Sequence, residues 1–287
     1  GGVDKFDIIM GNPPYNSGGI RAKSTNKIKR EQRDSKTIWP EFVKDSLTLL
    51  KNNNSYLLFI HPASWISLNP NSMNSNLIKS KQLITLRYYN VMNAHKLFGN
   101  QSGEIPLTYY LLQNTETKND TLIYDNCSDK NVSFNIYDNN FIPTESVEML
   151  KKIYKYTKKY GSLKDKFSTV KNSINIKNTF SKSHPYPIIN IARGEIKIQY
   201  SNKNNNKNDN KKLILVNSSM GYPLYDKTGI LYPSSSDQFI LYSNNNEKEL
   251  KQLQQYFYTS LLFYIINIIK TRQKFFNKKI FEIIPDI

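Results

Sequence analysis

Cysteine is almost absent. Cys127 stands alone among 287 residues, which excludes a disulfide framework and any cysteine-built zinc site. Histidine is nearly as scarce: His61, His95 and His184 have no metal-ligand spacing, so no metal is expected. No apolar run is long enough to span a bilayer. The longest near the C-terminus, Leu261 to Ile269, is too short and carries Asn267. No signal-peptide pattern is present, and the reading is a soluble cytoplasmic protein. Acidic residues are short as well, 23 against 40 basic ones, giving a net charge of +17. That balance argues for a polyanionic partner, most simply nucleic acid. Drift towards lysine and asparagine, visible in Asn52-Asn53-Asn54 and Asn204-Asn205-Asn206, contributes, but drift alone need not favour Lys over Glu.

What is present is concentrated near the start. The run Phe6-Asp7-Ile8-Ile9-Met10-Gly11 leads directly into Asn12-Pro13-Pro14-Tyr15. An apolar run and then a rigid polar turn predict a buried strand delivering side chains to its C-terminal end. In open α/β sheets ligands bind at that end. Pro13 and Pro14 fix two φ angles and remove two backbone donors, and Asn12 is pushed into an extended conformation. The turn offers carbonyl acceptors, the Asn12 oxygen and the aromatic face of Tyr15. Such a site suits a planar group bearing an NH2. Acceptors out of that plane favour a tetrahedral nitrogen and localise its lone pair, which is electrostatic stabilisation of a transition state.

Phe6 to Asn16 resembles the catalytic motif of amino-group methyltransferases that use S-adenosylmethionine. With Ile38-Trp39-Pro40-Glu41-Phe42-Val43 and Tyr56 to Trp65, which contains His61-Pro62-Ala63-Ser64-Trp65, it is similar to the adenine-specific DNA methyltransferases of restriction–modification systems. The resemblance covers the first third of the chain well. It implies an α/β fold: a partial Rossmann-like methyltransferase sheet over residues 1–142, followed by a mixed α+β target-recognition domain over 143–287. It implies transfer of methyl from S-adenosylmethionine to the exocyclic amine of an adenine flipped out of double-stranded DNA. Asn12 and the Pro13 carbonyl would hold the amine, Pro14 would stiffen the turn, and Tyr15 and Phe98 would stack on the two faces of the base. In the resembled family the glycine-rich cofactor loop lies upstream of this strand; Gly1-Gly2 cannot supply one. The main cofactor site is therefore expected upstream of Gly1, in a missing N-terminal half or a partner subunit.

The remaining candidates are read from position and charge. Arg21, Lys23, Lys27, Lys29, Arg30, Arg33 and Lys36 follow the turn, opposed only by Glu31 and Asp34, and are candidate phosphate contacts. Arg193, Lys197, Arg272, Lys274, Lys278 and Lys279 are candidates in the second half. His61 is expected to orient its loop. Glu195-Ile196-Lys197 has a nuclease-like spacing without an acidic partner upstream, and no nuclease is expected. Helices are predicted over 38–51, 74–82, 145–160 and 247–270. Strands are predicted over 6–10, 55–61, 84–91, 106–113, 122–124, 132–137, 188–200, 213–216, 229–232 and 239–242. The run at 55–61 reads as a continuous apolar strand of a parallel sheet. Two other functions remain open: a non-catalytic DNA-binding specificity subunit or remnant, and an RNA or protein-glutamine methyltransferase.

Overall fold

The computed structural model describes residues 4–17, 37–66, 72–99, 105–139, 141–169, 175–192, 195–204, 210–216, 223–234, 238–269 and 278–286. The chain divides into two compact units, Gly1–Lys151 and Lys152–Ile287. The border falls inside a helix, nine residues past the division expected at 142/143.

The first unit is built on six strands: β1 (Ile8–Gly11), β2 (Tyr56–Pro62), β3 (Gln82–Tyr89), β4 (Leu107–Gln113), β5 (Thr121–Asp125) and β6 (Lys130–Phe134). Their spatial order is β1-β2-β4-β3-β5-β6. β1 runs parallel to β2, β4 runs antiparallel to both β2 and β3, and β3 runs parallel to β5. Consequently β1, β2, β3 and β5 point the same way, and their C-terminal ends share one rim. The mixed α/β sheet agrees with the fold expected.

Helices α1 (Trp39–Leu49), α2 (Met73–Ile78) and α3 (Val91–Phe98) lie within the unit, and α4 (Val147–Tyr160) crosses its border. α1 joins β1 to β2 and buries Trp39, Val43 and Ser46. One sheet face is fully packed: Leu57, Phe59, His61, Leu86, Thr108, Tyr110, Leu112, Thr121 and Ile123 are each 5% exposed or less. The opposite face is open. Ile8, Met10, Tyr109 and Leu122 are 59, 69, 38 and 42% exposed, and cross-strand register joins them through half-buried Leu58, Ile60, Leu111 and Thr85. β2 therefore alternates instead of being buried on both sides, the pattern of a sheet covered on one face.

No helix is expected at α3, because its eight residues hold no long apolar period, yet both ends are marked. The Asn90 side chain accepts from the Asn93 amide, and Gly99 ends the helix at φ 64°, a conformation that favours glycine.

The second unit holds two four-stranded sheets. One is ordered β13-β9-β10-β8, with β8 (Ile176–Lys177), β9 (Tyr186–Ala192), β10 (Glu195–Ser201) and β13 (Tyr232–Pro233). The other is ordered β12-β11-β14-β7, with β7 (Ser168–Thr169), β11 (Lys212–Val216), β12 (Leu224–Asp226) and β14 (Gln238–Ser243). The single strand expected over 188–200 is a hairpin, β9 and β10, because Gly194 falls in its middle and Ala192 pairs with Glu195. The helix expected over 247–270 is two, α5 (Glu247–Phe257) and α6 (Ser260–Ile269). The Tyr258 amide closes the first at the Gln255 carbonyl, and the Thr259 hydroxyl accepts from the Leu262 amide to start the second. Both bury apolar residues at helical spacing, so periodicity alone conceals the break. The strand expected over 229–232 is displaced by a turn in which buried Asp226 accepts from the amides of Thr228, Gly229 and Leu231. Among the described residues no helix is long and apolar enough to cross a membrane.

Candidate active site

The Asn-Pro-Pro-Tyr turn leaves the C-terminal end of β1 at the common rim. Pro13 is buried, Asn12 and Pro14 are exposed, and Tyr15 is half-buried. The turn thus anchors through one proline and presents its polar side chain outward. Burial raises the Tyr15 phenol above its ordinary pKa, and a hydrogen bond from the Asn12 side chain works against that shift. Asn12 and Tyr15 are therefore partners within the turn.

α1 clamps the other end. The Ile38 amide donates to the Tyr15 carbonyl at 3.1 Å, and Thr37 Oγ1 donates to Asn16 Oδ1 at 3.4 Å. The helix can begin here because Pro40 sits in its first turn, where a missing N–H costs nothing. The first residue of α1, Trp39, is fully buried and stacks on His61, with ring centroids 3.9 Å apart at 13°.

His61 is held from both ring nitrogens. Nδ1 lies 3.0 Å from the Pro62 carbonyl oxygen, which can only accept, so Nδ1 carries the proton. Nε2 then accepts from the Tyr110 hydroxyl at 3.0 Å. Trp65 Nε1 donates to Thr108 Oγ1 at 2.9 Å, and that hydroxyl donates to the His61 carbonyl at 3.3 Å. Burial is the main cause holding the His61 pKa down to about 4. The ring is neutral near pH 7 and serves as packing and orientation. The three segments that carried the sequence resemblance thus converge: turn, Trp-Pro helix and His-Pro-Ala-Ser-Trp loop form one connected, hydrogen-bonded support.

Residues 1–98 match the model of the Eco57I restriction-modification methylase family. The methylase match takes in the whole of this support except β4, which supplies Thr108 and Tyr110. No curated protein matches the chain. Two solved structures are similar in part. One belongs to a study of complex assembly and conformational transition in a type I restriction–modification system, with 14% identity, a TM-score of 0.30, 54% of this chain covered and 30% of the other. The other is the type I restriction-modification system methyltransferase subunit from Streptococcus thermophilus, at 18% identity and a TM-score of 0.28, covering 53% and 32%. The chain matches about a third of the length of each.

Phe98 closes α3 and is 41% exposed, so it is not a core phenylalanine. α3 starts at the rim, directly after β3. Sequence reading missed what surrounds that start. The Asn90 side chain hydrogen-bonds Glu145, whose carboxyl is raised, first by burial and also by the charge of Asp125. Tyr88 is pushed up to about 12 by burial and by Glu145. The Asn90-x-x-Asn93 capping pattern was the available signal. Arg21, Lys23, Lys27, Lys29, Arg30, Arg33, Lys36, Arg193, Arg272 and Lys274 lie outside the described residues. Lys197 is exposed and pairs with Glu195 at 3.3 Å. Among the described residues no group of three or more His, Cys, Asp or Glu could hold a metal ion.

Proposed function

We propose that this chain carries the catalytic turn and target-recognition region of a DNA methyltransferase that transfers methyl from S-adenosylmethionine to the N6 amine of a flipped adenine. One observation carries the reading: Asn12-Pro13-Pro14-Tyr15 at the C-terminal end of a parallel strand, with Asn12 exposed and partnered by Tyr15. A side-chain N–H engaged by the phenol leaves Asn12 Oδ1 to accept from the amine, and the Pro13 carbonyl is the second acceptor. Two acceptors drawing the amine hydrogens out of the ring plane return the lone pair to nitrogen, ready to receive a methyl group as one amine proton passes to water. S-adenosylmethionine, when bound, would supply that methyl from its sulfonium and would keep the bonding pair as a thioether. Tyr15 and Phe98 stack on the base and offset the few kcal/mol of extrusion.

The cofactor half is supplied by a further segment, which the open sheet face supports. Parallel strands are covered on both faces. β1 and β2 are joined through α1 on the packed face. Right-handed crossovers running the other way from β1 place their helices on the opposite, open face. A ligand crevice then forms at the end of β1, beside Asn12.

The test is transfer of radiolabelled methyl to unmethylated DNA by the chain together with its cofactor half. Label in adenine is expected, abolished by Asn12→Ala and lowered roughly tenfold by Tyr15→Phe, which keeps the ring but loses the bond to Asn12. Unchanged transfer in Asn12→Ala would refute the role of the turn.

A further inference from the structure

From Met149 to its end at Tyr160, α4 holds no acid. Its charged residues there are Lys151, Lys152, Lys155, Lys158 and Lys159. Its inward side is occupied: Val147, Leu150, Ile153 and Thr157 are buried at helical spacing, and the Thr157 hydroxyl donates to the Ile283 carbonyl. Lys152, Lys155, Tyr156, Lys158, Lys159 and Tyr160 are all exposed. All of these but Lys158 are linked by steps of three and four and so share one side.

The charges on that side are not answered within the chain. Lys151 pairs with Glu148 at 3.6 Å. Among the described residues no carboxylate pairs with Lys152, Lys155, Lys158 or Lys159. Lys158 and Lys159 stand in the last turn, where cations complement the helix dipole. Lys152 and Lys155 have no such role, and with Lys159 they place like charges at the spacings that destabilise a helix. Tyrosines lie among them. Tyr156 and Tyr160, 57 and 53% exposed, stack with ring centroids 5.9 Å apart at 17°. Lys159 Nζ lies 4.8 Å from the Tyr160 ring centroid, and Lys158 Nζ lies 4.8 Å from that of Tyr154. An ammonium already held by a ring loses less freedom on meeting an anion, and tyrosine hydroxyls are donors that phosphate oxygens accept.

We propose that the exposed side of α4 is a sequence-independent contact for the phosphate backbone of duplex DNA, made by Lys152, Lys155 and Lys159. The choice of ligand rests on the DNA-modifying reading above. From Lys152 to Lys159 the helix rises about 10 Å. A duplex presents one charge per about 1.7 Å of its axis, so the three ammonium groups face several phosphates in any register. An anionic membrane fits less well. Helices that bind membrane surfaces insert their apolar side, and here that side is buried in the protein.

The test is fluorescence anisotropy of a labelled random-sequence duplex with the full chain, without cofactor, across a salt series. For wild type, log K should fall linearly with log salt. Lys152→Gln, Lys155→Gln and Lys159→Gln should each make that slope shallower by about 0.9 and weaken binding roughly eightfold near 0.1 M salt, alike for every sequence. Glutamine keeps the helix propensity of lysine. Lys248→Gln removes the same charge from an exposed position of α5, between Glu247 and Glu249, and should leave the slope unchanged. An equal loss from Lys248→Gln would reduce the effect to net charge and overturn the proposal. An unchanged slope in the triple variant would also overturn it, as would wild-type binding without salt dependence. So would loss of binding to phosphatidylserine vesicles while DNA binding is kept. This readout needs no methyl transfer. A shallower slope beside transfer insensitive to Asn12→Ala would leave the α4 contact standing and the catalytic reading refuted. An unchanged slope beside transfer abolished by Asn12→Ala would do the reverse.

Discussion

His61 couples the support of the turn to acidity. Its folded pKa is about 4 against an ordinary 6.5, so the unfolded chain binds the additional proton between those values. Stability from a neutral, buried imidazole is complete above pH 6.5 and is lost as pH falls towards 4. The full span corresponds to about 3 kcal/mol. Thermal melting of wild type should fall over that window. The part due to His61 should be missing in His61→Phe, which keeps a ring beneath Trp39 but cannot take a proton. Parallel pH dependence in the two proteins would refute this coupling. Tyr110 belongs to the same account. Its burial raises its own pKa, keeping it a hydroxyl donor to Nε2 at every pH of interest.

At the scale of elements, α1 acts as a strut with two unequal sides. Trp39 and Val43 are fully buried, whereas Phe42 is 42% exposed. Trp39→Ala should destabilise the chain by about 3–5 kcal/mol in urea unfolding and lower methyl transfer in the assembled enzyme. Phe42→Ala should cost under ~1 kcal/mol and spare activity. A similar cost for both would show that α1 does not bear on the turn through Trp39. The strut was legible in part. The residues Trp39, His61 and Trp65 stood out as a pattern in sequence, but a pattern does not state that two rings 22 positions apart stack. Asn12 to Tyr15 was readable because proline chemistry is local. The rim around Asn90 was not, because its partners, Asp125 and Glu145, arrive through tertiary pairing. The same limit explains the hairpin at 186–201 and the break after Phe257: alternation and helical period persist through a short turn when both pieces bury the same kind of residue.

At the scale of the molecule, the decisive property is a sheet with one exposed apolar face. β1 contributes Ile8 and Met10 to the open face and, among the described residues, has a partner on one side only. An uncovered apolar face beside a free parallel edge promotes self-association. Replacing Ile8 and Met10 by threonine keeps strand propensity. It should reduce light scattering by the isolated chain and weaken its assembly with the cofactor half, measured as lost methyl transfer at low protein concentration. Improved solubility with unimpaired assembly would refute the docking role of this face.

That edge also has a consequence in time. A strand held from one side exposes backbone amides to solvent and opens locally at low cost. β1 should therefore be among the first strands of the first unit to exchange its amide hydrogens for deuterium, well ahead of β4, which is held on both sides. The turn that would grip the amine hangs from this strand. The order of the turn is then set by whatever covers the free edge of β1, and contact along that edge should slow the exchange.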